Sequence, residues 1–113
     1  MIFWKKIIIK PDHSLGHAIK VMQDGGARIT LVADKNNKLL GTVTDGDIRR
    51  SLINNLTMTS EIKFVMNKNP IIAKKNFSKK YLLDLMTSKG LIHMPIVDEN
   101  EIICGLETIE HLI

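Results

Sequence analysis

Apolar positions change period along the chain in a way that marks out its elements. Near the start, "KIIIK" is a β-branched run of strand length. Pro11, Asp12, His13 and Ser14 then turn the chain and offer a helix cap. Leu15, Ala18, Ile19 and Met22 follow at helical spacing, and Asp24-Gly25-Gly26 ends that helix as glycine commonly does. "RITLVADKNNKLLGTV" reads as two strands around an Asp-Lys-Asn-Asn turn, a hairpin. "DGDIRRSLINN" returns to a helical pattern. The predicted order of the unit is β-α-β-β-α.

The same order then recurs. Displaced by 64 positions, the chain matches itself without a gap. Ile7-Ile8 falls on Ile71-Ile72, Ser14 on Ser78, Met22 on Met86 and Gly26 on Gly90. Asp34 falls on Asp98, Gly41 on Gly105 and Thr44 on Thr108. "PIIAK" is the second early strand. Leu82, Leu83, Leu85 and Met86 form the second helical stripe, ended by Lys89-Gly90. "HMPIVDENEIICGL" is the second hairpin, and "TIEHLI" the last helix. The predicted organisation is a first repeat over 1–53, a connector over 54–64, and a second repeat over 65–113 that ends early. "SEIKFVM", capped by Ser60, is expected to be a short helix. A unit of about 50 residues buries little surface alone. Two copies packed sheet to sheet solve that, in an α+β fold with a pseudo-twofold axis and clefts between the halves.

Composition narrows the function. Apolar residues make up 44% and charged residues 25% of 113 residues, the profile of an ordinary globular domain. No apolar run approaches the roughly 20 residues of a membrane helix, and a cytoplasmic protein is expected. Cys104, the single cysteine, has no internal disulfide partner and is expected to be a buried core thiol. The net charge of +4 is spread along the chain and aromatics are only 4%. That argues against nucleic acid and suits a small phosphorylated ligand.

"GTVTDGDIRR", residues 41 to 50, carries the candidate chemistry. Thr44 ends a strand and Asp47 falls in the first turn of the next helix. A carboxylate there can accept from the two vicinal hydroxyls of a ribose. The Thr44 hydroxyl and the helix-start N–H groups suit phosphate oxygens, and Gly46 allows close approach. Asp47 could instead serve only the helix start, by complementing the helix dipole. Asp45 reads as the helix cap, and Arg49 and Arg50 as a solvated helix face. An Asp45/Asp47 pair holding Mg²⁺ in a nucleotidyl-transfer fragment is the catalytic alternative, but no further carboxylates gather nearby. His13 and His17 stand four apart, with no third metal ligand evident; no metal is expected.

With the gapless repeat, Gly41, Val43, Thr44 and Asp47 of the first copy and "MPIVDEN" at 94–100 of the second resemble a tandem pair of CBS domains, the Bateman module, over the whole chain. "LLGTVTDGDIRR" and the early Trp4-Lys5 are similar to the CBS pair that precedes sugar-phosphate nucleotidyltransferase domains, and the stop after "ETIEHLI" fits a cut at a domain border. The resemblance implies a non-catalytic regulatory module that binds AMP, ADP, ATP or S-adenosylmethionine between the repeats, forms a homodimer and reports to an attached enzyme. It implies a nucleotide site at Thr42, Thr44, Asp47 and Arg28, completed by Lys68, Asn69, Pro70, Leu91, Ile92 and His93. A weaker second site would use Lys6, Ala27, Thr108 and His111, since an imidazole replaces the carboxylate there and Glu107 replaces the apolar residue matching Val43. The alternative is a structural dimerisation module with a vestigial cleft.

Overall fold

The structure, a computed structural model, describes residues 3–113. Two compact units follow one another, one reaching Pro70 and the other spanning 71–113.

In the first unit, β1 (Ile8–Ile9), α1 (Leu15–Gly25), β2 (Ile29–Ala33), β3 (Leu39–Thr44) and α2 (Asp45–Ile53) follow in order. The sheet runs β1-β2-β3, with β1 parallel and β3 antiparallel to β2. In the second unit, β4 (Ala73–Lys74), α3 (Lys79–Lys89), β5 (His93–Val97), β6 (Ile103–Thr108) and α4 (Ile109–Leu112) repeat the topology. The internal repeat is therefore structural, and both units are mixed α+β.

The copies agree in their smallest devices. Ser14 and Ser78 each accept a hydrogen bond from a backbone N–H three residues on, at His17 and Tyr81, which satisfies one orphan donor of the helix. Gly26 and Gly90 end the helices at φ 63° and 66°, the left-handed region where a side chain would be strained. Asp34 Oδ1 accepts from the N–H groups of Asn36 and Lys38, and Asp98 Oδ1 from those of Asn100 and Ile102. The Lys38 and Asn36 backbone donors hold the Asp34 carboxyl below its usual range.

Three expectations change. The early strands are two residues each, because Trp4–Ile7 forms a 3-10 turn and the other ladder begins only at Ala73. The connector helix reduces to a 3-10 turn at Ile62–Phe64 without a side-chain cap. Ser60 Oγ instead accepts from Thr57 N–H, and the Ser60 carbonyl takes the N–H of Leu15. The Met58 carbonyl likewise takes the N–H of Gly16. The segment after α2 thus caps α1 from outside, and it places Ile62 and Val65 in the core with Ile9, Leu15, Ala18, Met22, Val32 and Val43. Third, Cys104 is half-buried rather than core, and desolvation pushes its thiol up.

Two positions decide packing. Gly41 lies against the chain at Met66–Asn67, where Thr42 and Asn67 exchange backbone hydrogen bonds of 3.1 and 2.8 Å. A Cβ at Gly41 would sit 2.6 Å from the Asn67 carbonyl oxygen, whereas at Gly105 the nearest atom is Ile96 Cδ1 at 3.4 Å. Thr30 is fully buried in β2, and among the described residues its hydroxyl has no hydrogen-bond partner. The matching position holds Met94, also fully buried, with no donor to satisfy.

Gly41→Ala is expected to destabilise the protein by about 1–3 kcal/mol, while Gly105→Ala costs clearly less; urea unfolding of both variants measures the difference. Thr30→Val removes an orphaned hydroxyl at nearly constant shape. It should raise stability by about 1 kcal/mol, seen as a higher urea midpoint at unchanged slope.

Candidate functional site

The junction of β3 and α2 is built by reciprocal capping. Thr44 is extended at φ −115° and ψ 172°, the geometry of an N-cap. Its Oγ1 accepts from Asp47 N–H at 3.4 Å, and Asp47 Oδ2 accepts from Thr44 N–H at 2.9 Å and from the Thr44 hydroxyl at 3.0 Å. This is a capping box with aspartate in the third helical position. The cap is therefore Thr44, not Asp45, which is the exposed first helical residue. The physical reason is reach: an N-cap side chain must precede the helix, and Asp45 already has helical geometry.

Asp47 thus serves the helix start and is also shaped as an acceptor. Its side chain is only 12% exposed, and Oδ1 points to Arg50 Nη2 at 2.7 Å. Arg50, expected on a solvated face, is exposed yet folds back along the first turn. A Cβ at Gly46 would lie 3.4 Å from Arg50 Nη1. The N–H groups of Asp45 and Gly46 stand before the first intrahelical bond, so the helix dipole and these donors favour an anion there.

The structure places the remaining first-unit residues as follows. Thr42 is buried in β3, and its backbone pairs with Asn67. Lys68, Asn69 and Pro70 follow Asn67 directly in the chain, and Asn69 N–H donates to Asn67 Oδ1 at 3.0 Å. Arg28 is exposed and precedes Ile29, which pairs with Thr44, so it belongs to the same end of the sheet. Lys6 is exposed with its ammonium 5.6 Å from the Phe3 ring, and Ala27 is buried behind the α1 terminus.

In the second unit, Thr108 caps α4 and accepts from His111 N–H at 3.3 Å. Leu91 packs partly against the core of that unit, and the Ile92 carbonyl accepts from Ile109 N–H at 3.1 Å. His93 opens β5 opposite Thr108. Glu107 is the residue sequence reasoning undervalued. Its Oε1 accepts from Thr108 N–H at 3.2 Å and contacts His111 Nδ1 at 2.6 Å. The carboxylate that the first unit takes from the helix is here supplied by the strand. Its 13% exposure nearly equals that of Asp47. A carboxylate gained just before a threonine, beside one lost three residues after it, was the available signal.

The histidine pair is a poor metal site. His13 Nδ1 accepts from Lys10 N–H at 2.9 Å. The lone pair of that nitrogen is thereby engaged by the backbone rather than turned toward His17. Among the described residues, no helix is long and apolar enough to cross a membrane.

Comparison with known proteins places this geometry. The family model described as "CBS domain" matches residues 2–54 and again 60–113. Arabinose 5-phosphate isomerase KdsD of Francisella tularensis is 36% identical over 107 residues, covering 94% of this chain and 32% of that protein. The chain spans about a third or less of the length of the first curated relatives it matches. CBSX2, solved in complex with AMP, shares the fold at TM-score 0.83 and 18% identity, over 98% of this chain and 92% of that one. The CBS domain pair of protein MJ0100, solved with 5′-methylthioadenosine and S-adenosyl-L-methionine, shares it at TM-score 0.81 and 24% identity, over 92% and 85%. Two matches to one family model, on two units of one topology in one register, make this chain a tandem pair and a member of the CBS domain family.

Proposed function

We propose that the chain is a regulatory module that binds an adenine nucleotide, AMP, ADP or ATP, with Asp47 accepting from the ribose hydroxyls. The observation that carries this reading is the Asp47 carboxylate, nearly buried yet with an oxygen turned out of the capping box. Thr42, Thr44, Arg28, Lys68, Asn69 and Pro70 join the proposed site from the first unit. Leu91, Ile92 and His93 join it on the family pattern. Structural relatives solved with AMP and with S-adenosyl-L-methionine support the ligand class. Thr108 and His111, with Lys6 and Ala27 of the first repeat, are proposed as the weaker second site.

The parent protein belongs to the same proposal. The motif "LLGTVTDGDIRR" favours a sugar-phosphate nucleotidyltransferase, whereas the name of the Francisella relative favours a sugar-phosphate isomerase. On either reading the proposed parent is an enzyme acting on phosphorylated sugars, and a homodimer is proposed as the working form of the module. A structural module with a vestigial site has one observation in its favour: Asp47 is already engaged by Thr44 and Arg50.

Ligand binding to the folded state raises the melting temperature, so a thermal-shift series with AMP, ATP, S-adenosylmethionine and GTP separates the two readings. AMP or ATP is expected to raise it, and no shift with any of the four would favour the structural module. Asp47→Asn keeps an acceptor for the cap but loses the charge. It is expected to weaken AMP binding about 10-fold or more in calorimetry, and unchanged affinity would remove Asp47 from the site.

A further inference from the structure

The hydrogen bonds around Asp47 limit what a ligand can do there. A carboxylate offers about four acceptor positions. Oδ2 already receives the Thr44 N–H and the Thr44 hydroxyl, and Oδ1 receives Arg50. One position remains, whereas a vicinal diol donates two hydrogen bonds. One resident donor must leave. The Thr44 N–H is fixed in the backbone, and its hydroxyl is held within the cap. Arg50 is the donor free to go, because its side chain is 69% exposed and can rehydrate.

The path of the guanidinium matters as well. It crosses the first turn of α2 beside Gly46, next to the helix-start N–H groups that favour an anion. An anionic group arriving there meets Arg50 directly, and a planar guanidinium suits phosphate geometry. In the second unit the carboxylate at the matching junction, Glu107, is contacted instead by His111.

We propose that Arg50 is the specificity-determining residue of the first-repeat site. It closes the Asp47 carboxylate, and a ligand opens it by offering its own phosphate to the guanidinium. Nucleotides are thereby favoured over nucleosides that carry the same diol. The inference rests on the ribose reading of Asp47 above.

Calorimetric titration of the full chain with AMP and with adenosine tests it, using wild type, Arg50→Met and Arg50→Lys. Arg50→Met keeps the apolar stem and removes every donor. Adenosine is expected to bind about 2- to 5-fold more tightly to it, because a surface ion pair no longer competes. AMP is expected to bind about 10-fold or more weakly, through loss of a charge-assisted contact. Arg50→Lys should recover part of the AMP preference. If both ligands bind Arg50→Met with an unchanged affinity ratio, or weaken by one common factor, the role of Arg50 is overturned while the ribose reading stands. If neither ligand binds the wild type, both fall together.

Discussion

One reciprocal pair of hydrogen bonds organises the junction of β3 and α2 in the first repeat. Thr44 caps the helix through Asp47 N–H, and Asp47 returns a carboxylate oxygen to Thr44. An N-cap of this sort is worth about 1 kcal/mol to a helix. Its larger consequence is positional. The strand fixes Thr44, Thr44 fixes the first turn, and the first turn fixes where the second carboxylate oxygen points. A carboxylate held in this way needs no flexible loop to position it.

The second repeat shows the same constraint met by different atoms. Thr108 still caps its helix, and a carboxylate still accepts from the threonine N–H, but that carboxylate is Glu107, from the strand. The backbone donor at the strand-to-helix junction is what has to be satisfied. Either neighbour in sequence can satisfy it. The side chains of the two junctions are therefore not interchangeable: Asp47 gives a second oxygen to Arg50, whereas Glu107 uses one oxygen for both the Thr108 N–H and His111.

Most of the architecture was legible from the sequence because each local device has a residue-level signature. Ser14 and Ser78, Gly26 and Gly90, and Asp34 and Asp98 occupy matching positions and perform matching tasks. The short early strands were read too long because β-branched runs do not reveal where a ladder partner ends. The connector helix was read too long, and its cap misassigned, because Ile62 and Val65 are spaced for burial while Ser60 and Met58 spend their carbonyls on the start of α1. Thr44 and Asp47 could be named as candidates, but the cap could not be assigned to Thr44 rather than Asp45 by residue type, since both types are good caps. Arg50 and Glu107 were named without their contacts, for a shared reason. Their roles depend on where a side chain folds back, and spacing alone does not specify a rotamer.

The claim on which the functional account depends is that this junction receives the ligand. Amide and arginine side-chain chemical shifts followed by NMR during an AMP titration address it residue by residue. The account predicts that the largest changes gather at Thr42, Thr44, Gly46 and Asp47 and at the Arg50 guanidinium. Saturable changes that gather elsewhere and leave these five residues still would contradict it.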